Sequence, residues 1–494
     1  MKRKQFFVRS IAFFLLSVLM LTGCVTVAPD ETGTTGNTEA MPDEPVTLRL
    51  VVEEQWQEPS AAEVLIGNVI AQYEKDHPNV TIEVEEIPLE ANGDDREIVL
   101  DRFRTEIMAG RGPDIYLLPT WLTGGALFPD VNLAMHNGLF TDLSRYYDAD
   151  KELNTAGLRT VVMDAGVVDG HRYTLPLRYD FPVAYIEKGR FEEAGLHTDV
   201  FSKGITGVLD AIVATGNPEI AAQAHFILGN NGFNFFPELI DYEQQKVLLD
   251  KEELTDVLES YAAFIIAQKD SMSWSDARVD DYVAGRYWAE LGACMKVHSV
   301  QKALNNAAFS KILGIDLEMY PLTGADGKVI AEVSYFGAVD GNCKYPALAY
   351  DFLRRFLTEE AQWERNVTID TEEMSADGYC VRTEGSAAPY FDRVWSRVAN
   401  HLVSMTVYDD DGNAHKISDE FLKERKDWLR QLELTDEDVP ILQTEIAAAR
   451  YPINDIEIRL TEVLISIWEG ETDMDIAAFA GEIIDELNWH LMEG

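Results

Sequence analysis

Apolar and polar residues alternate with a period of two from Val46 to Val52, a β-branched run that reads as a strand. After Ser60, placed as an N-cap, the apolar spacing becomes that of an amphipathic helix through Tyr73. The cycle then repeats. Val80 to Ile87 alternates and Ile98 to Met108 is spaced as a helix; Gly110-Arg111-Gly112-Pro113 stops it, and Asp114 to Leu118 opens a third strand. Strand and helix in turn imply a parallel sheet flanked by helices.

Further along, Val161 to Val168, the turn Asp169-Gly170 and Arg172 to Leu175 predict a hairpin that leads into an extended segment from Pro176 to Ile186. Helical spacing covers Leu254 to Gln268 and Asp276 to Leu304, and a second turn at Asp326-Gly327 joins two short strands. Ala347 to Phe356 is again helical. The C-terminal region is mostly helix, with Asn454 and Asp473 as N-caps and Leu460, Val463, Leu464, Ile467 and Trp468 on an apolar face.

The first residues are not part of this alternation. Lys2, Arg3, Lys4 and Arg9 precede an apolar run from Ile11 to Leu21, the layout of an export signal. That run is shorter than the roughly 20 residues a helix needs to span a bilayer. Leu21-Thr22-Gly23-Cys24 resembles the lipobox of bacterial lipoproteins, which implies a signal peptide over 1–23, cleavage before Cys24 and acylation of its thiol. Residues 24–45 hold little to bury and read as a flexible tether from that anchor.

Net charge is -45, with 86 acidic against 41 basic residues. Such a surface repels phosphate backbones, so no nucleic-acid partner is expected. Besides Cys24, only Cys294, Cys343 and Cys380 are present, without CxxC spacing, and sequence does not choose a pair. The roughly 450 residues beyond the tether exceed what one core fills, so at least two lobes are expected.

Several phrases resemble family 1 extracellular solute-binding proteins, the group that includes maltose-type sugar receptors of ABC importers. They run in family order: Tyr73-Glu74-Lys75-Asp76-His77-Pro78-Asn79-Val80; Ala109-Gly110 with Gly112-Pro113-Asp114-Ile115; Leu143; and Gly170-His171-Arg172-Tyr173-Thr174-Leu175-Pro176 with Tyr185, Phe191, Glu192, Ala194, Gly195 and Leu196. Tyr282-Val283-Ala284-Gly285-Arg286, the run Ala347 to Gln362 and Trp468-Glu469-Gly470 extend the likeness, whereas 200–245 and 385–450 match poorly. The resemblance implies an α/β, two-lobed periplasmic-binding-protein-like fold of type II. Lobe 1 would hold 46–176 and 337–370, lobe 2 would hold 183–330 and 384–494, and crossings would lie near 176–183, 330–337 and 368–384.

It also implies a receptor that closes on a mono- or oligosaccharide and delivers it to ABC permease subunits, as a monomer with no cofactor and no metal. Sugar recognition needs aromatic faces for the C–H side of a pyranose and acids, amides or arginines for its hydroxyls. In α/β sheets such groups gather beyond the carboxyl ends of strands. Glu53, Glu54 and Trp56 follow the first strand, Thr120 and Trp121 follow the third, and Tyr179 and Asp180 lie in the first crossing; Trp274, Tyr335, Phe336 and Arg382 complete the candidate set. Each aromatic also suits core packing, and each acid also suits a solvated surface.

Other chemistries fail on spacing. Asp409-Asp410-Asp411-Gly412-Asn413 has the glycine of a calcium loop, but Val407 and Ser418 occupy positions that need carboxylates, so a hairpin turn is expected. The nine histidines form no HExxH, and neither a G-x-S-x-G elbow nor a phosphate-cradling glycine loop occurs. A missing motif does not exclude a glycosidase, whose two acids need no fixed local sequence, but the resemblance to binding proteins implies no enzyme. A secreted carbohydrate-active hydrolase and a surface sensor or adhesin on the same fold stand as the alternatives.

Overall fold

A computed structural model describes residues 44–53, 61–88, 93–120, 125–217, 220, 237–242, 244–269, 295–300, 303, 306–307, 310–311, 316–324, 327–362, 379–382, 407–408, 414–415, 439–470 and 474–493. Strand β1 (Val46–Glu53), helix α1 (Ala61–Asp76), β2 (Val80–Ile87), α2 (Gly93–Met108) and β3 (Ile115–Pro119) follow in the order the periodicity predicts. β1 runs parallel to β2, with Val46 opposite Val80 and Glu53 opposite Ile87, and parallel to β3 on its other side. Burial follows from position: β3 lies inside the sheet and is wholly buried, while the edge strand β2 keeps a polar side.

The sheet is completed by later chain. β4 (Thr174–Asp180), β8 (Ile330–Val339), β9 (Tyr379–Cys380) and β10 (Ala448–Arg450) join it in the order β2-β1-β3-β8-β4-β9, with β10 parallel to the start of β8. A second, antiparallel sheet places β5 (Pro182–Glu187) between β6 (Met295–Ser299) and β7 (Leu317–Pro321). Helices α3 (Lys251–Lys269), α4 (Pro346–Leu353), α5 (Asn454–Glu469) and α6 (Ile476–Glu493) cover the two.

Two apolar cores result, and β5 touches both. Val183 and Tyr185 pack in the larger core while Ala184 and Ile186, on the opposite face of the same strand, pack in the second. The chain leaves the large sheet at Phe181, returns between Pro321 and Ile330, and leaves again between Arg450 and Asn454.

Several expectations shift here. Residues 330–337, expected as a crossing, lie inside β8, which is hydrogen-bonded on both sides and therefore cannot be a linker. Val439, Ile441, Ile446 and Tyr451, expected in lobe 2, pack in the larger core, as do Val300, Ala303 and Ala307. Of the expected crossing at 368–384, only 379–382 is described, and there Cys380 and Val381 belong to the larger core.

Locally, Met295–Ser299 is a strand although helical spacing covers 276–304; its partner β5 supplies a ladder that overrides propensity. Only Val167–Val168 and His171–Arg172 form the predicted hairpin, because Thr160–Met163 is helical. Its turn has positive φ at Asp169 (52°) and Gly170 (82°), the pattern of a tight two-residue turn. Asn454 opens α5 without capping it. Val407–Tyr408 pairs antiparallel with Ala414–His415; the acidic run between them lies outside the described residues. Cys343 and Cys380 are free thiols; Cys294 lies outside the described residues.

Candidate functional site

Because β1, β2 and β3 are parallel, their carboxyl ends share one edge of the large sheet. Glu53 closes β1 there and is buried against Arg96 of α2, itself 1% exposed. Arg96 also donates to the carbonyls of Pro88 at 2.6 Å and Gly125 at 2.6 Å. One guanidinium thus ties the end of β1 to the segments after β2 and after β3. A buried ion pair is stable only when such extra hydrogen bonds satisfy it. No motif marks Arg96; the only sequence signal is that burying Glu53 requires a nearby cation.

Thr120, just beyond β3, donates its hydroxyl to the Val333 carbonyl at 2.6 Å and its N–H to the Ser334 carbonyl at 3.1 Å. Its own carbonyl accepts from Asn454 Nδ2 at 3.4 Å, on the first residue of α5. The edge that carries Glu53 and Thr120 therefore abuts the junction with the second core. In the sequence Glu54 and Trp56 come shortly after Glu53, and Trp121 comes directly after Thr120. Those three residues, Trp274 and Cys24 lie outside the described residues.

The other candidates sit deeper. Asp180 ends β4 fully buried; it accepts from the Ser299 hydroxyl, from Val300 N at 2.9 Å and from Phe181 N at 2.7 Å. Burial outweighs these bonds and pushes its carboxyl up to about 7. Tyr179 is buried beside Phe181, and Tyr335 donates to the Leu117 carbonyl at 3.2 Å inside the sheet. Phe336 meets Phe140 and Tyr451 edge to face. Arg382 donates to the Leu357 carbonyl at 2.7 Å and bridges to Leu158. Glu53 and Thr120 are thus brought to one edge, Asp180 marks the crossing, and Tyr335, Phe336 and Arg382 lie within the larger core.

A charge cluster that sequence reasoning missed occupies the last crossing. Arg450 of β10 pairs with Glu332 of β8 and lies 3.7 Å from Glu457 of α5, which is fully buried while the other two are partly buried. Burial raises both carboxyls, Glu457 well above the usual range under the added repulsion of Glu332. A cavity of about 190 Å³ lies beside it, with Asn132 and Asp164 on the larger-core side and Glu238 and Tyr242 on the other. A second hollow of about 390 Å³ is lined by Lys311, Glu318, Tyr320 and Pro440. Among the described residues no helix is long and apolar enough to cross a membrane.

Residues 54–363, more than half of the chain, match the family described as bacterial extracellular solute-binding protein. The chain belongs to that family. This solute-binding protein is also similar to solved structures at low identity. A family 1 extracellular solute-binding protein from Alicyclobacillus acidocaldarius is 16% identical over 91% of this chain and 100% of its own, with a TM-score of 0.46. An ABC substrate-binding protein from Listeria monocytogenes in complex with cycloalternan is 14% identical over 90% of this chain and 98% of its own, at 0.47. The lacto-N-biose-bound galacto-N-biose/lacto-N-biose I-binding protein of Bifidobacterium longum is 14% identical over 91% and 97%, at 0.46. A search of curated proteins found no match.

Proposed function

We propose that this solute-binding protein captures a carbohydrate outside the cytoplasm, between its two lobes, and delivers it unaltered to the permease subunits of an ABC importer. One observation carries the reading: β1 and β3, which end at Glu53 and just before Thr120, are adjacent parallel strands whose ends lie at the edge where α/β folds bind ligands, and Glu54, Trp56 and Trp121 follow them in the sequence. Aromatic faces and acids from neighbouring loops are the pairing that pyranoses require. Arg96 ties Glu53 to Pro88 and Gly125, so this edge is organised before ligand arrives. In this reading Asp180 and the buried residues of β4 and β8 position the site, while Cys24, acylated after cleavage, anchors a monomer to the membrane by its tether.

Isothermal calorimetry against a panel of mono- and oligosaccharides tests the reading. Saturable binding of at least one sugar is expected, with Trp56→Ala and Trp121→Ala each weakening it by about 1 kcal/mol or more, the scale of a lost aromatic contact. Binding of a peptide, polyamine or anion instead would remove the carbohydrate part. Steady release of cleavage products from a bound sugar would favour a hydrolase and overturn the receptor.

A further inference from the structure

We propose that Asp455, Glu486 and His490 form a site for a divalent transition-metal cation, with Zn2+ as the probe and Asp130 as the carboxylate that orients the histidine. Glu486 and His490 lie one turn apart on α6, so they share a helix face, and Asp455 enters from the first turn of α5. One ligand atom from each of the three lies within 4.8 Å of the others. All three are half-buried, so an ion from solvent reaches them.

The spacing around the imidazole favours a cation over a hydrogen bond. His490 Nε2 stands 3.6 Å from Asp455 Oδ2, too far for a hydrogen bond. Two ligands sharing a tetrahedral zinc at about 2.0–2.1 Å are roughly 3.3 Å apart, so a small closure completes that edge of the shell. Asp455 Oδ1 is occupied by Ile456 N at 3.1 Å, which leaves Oδ2 turned to the ring.

On the far side of the ring, Nδ1 is 3.6 Å from Asp130 Oδ2. Asp130 is fixed in turn by Leu133 N at 3.0 Å and by the Tyr242 hydroxyl. A carboxylate behind a histidine sets its tautomer and presents Nε2 to the metal, the usual support of such ligands. A nitrogen and two oxygens suit zinc and its neighbours better than calcium or magnesium, which take oxygen alone.

Without the cation, His490 lies between Asp130 and Asp455, 3.6 Å from each, and Arg459 pairs with Glu486. Binding makes Glu486 exchange its arginine for the metal. Removing Arg459 therefore strengthens the site.

Calorimetric titration of the full chain with Zn2+ is expected to show one equivalent that Ca2+ and Mg2+ do not match. Glu486→Gln and His490→Ala abolish it, Asp130→Asn weakens it roughly 10- to 100-fold, and Arg459→Gln tightens it. Circular dichroism of each variant separates lost binding from lost fold; Glu486→Gln changes a ligand more exposed than His490, 34% against 13%, and keeps the test available if His490→Ala does not fold. Absence of a zinc equivalent, or one unaltered in a folded Glu486→Gln variant, overturns the proposal and leaves an ion pair only. Equal affinity for calcium does so too.

Discussion

Asp180 carries a carboxyl into a fully buried position and surrounds it with a hydroxyl and two backbone N–H groups. With a value near 7 against about 3.9 unfolded, the folded chain binds the extra proton between those limits. Unfolding free energy from this group therefore falls as pH rises from about 4 to 7, the opposite of an ordinary salt-bridged acid. Asp180→Asn removes that slope, and the difference between wild-type and variant urea curves across the window isolates it. Asp180→Ala orphans three buried donors and is expected to cost about 2–4 kcal/mol at any pH. Parallel pH profiles for the wild-type and Asp180→Asn chains would refute the assignment.

Among the elements, α2 contributes most through a single residue. Arg96→Met leaves Glu53 buried without its charge partner and releases the carbonyls of Pro88 and Gly125, so a loss of about 3–5 kcal/mol is expected in denaturant unfolding. Adding Glu53→Leu should recover most of it, which measures pairing rather than packing. The alternation that places β1, β2 and β3 in the sequence is local, and those elements were legible from it. β6 was not, because what makes Met295–Ser299 a strand is its ladder to Pro182–Ile186, more than a hundred residues earlier. β8 was legible as a strand but not as the middle of a sheet, since pairing on both sides is a non-local fact. The family phrase around Gly112 has a structural cause. A Cβ there would stand 2.8 Å from Asp340 Oδ2, which the Tyr116 hydroxyl also contacts at 2.7 Å. The placement of Glu53 and Thr120 at strand ends was legible. The partners Arg96 and Glu332–Arg450–Glu457 were not, because a charge on an otherwise ordinary segment reads as solvated until its neighbours are known.

At the scale of the molecule, closure of two lobes requires crossings that bend without exposing their polar groups. The last crossing does this with Arg450, which faces Glu332 from β8 of the larger core and Glu457 from α5 of the second. Burial raises both acids, Glu457 well above the usual range under the added repulsion of Glu332, so the two should respond unequally to substitution. Glu457→Gln replaces the acid whose carboxylate form is disfavoured with its neutral isostere and is expected to change stability by less than about 1 kcal/mol near neutral pH. Arg450→Met removes the cation that faces both acids and should cost about 3–5 kcal/mol. Denaturant unfolding of both variants distinguishes this from a cluster with both acids ionised, in which Glu457→Gln would relieve repulsion and stabilise markedly. Small-angle scattering extends the test to motion. In the wild type a bound sugar should lower the radius of gyration, and a folded Arg450→Met chain, lacking the link from β10 to the first turn of α5, should show a different ligand-free radius. Equal radii for the two ligand-free chains would mean that the cluster stabilises the fold without setting the angle of the hinge.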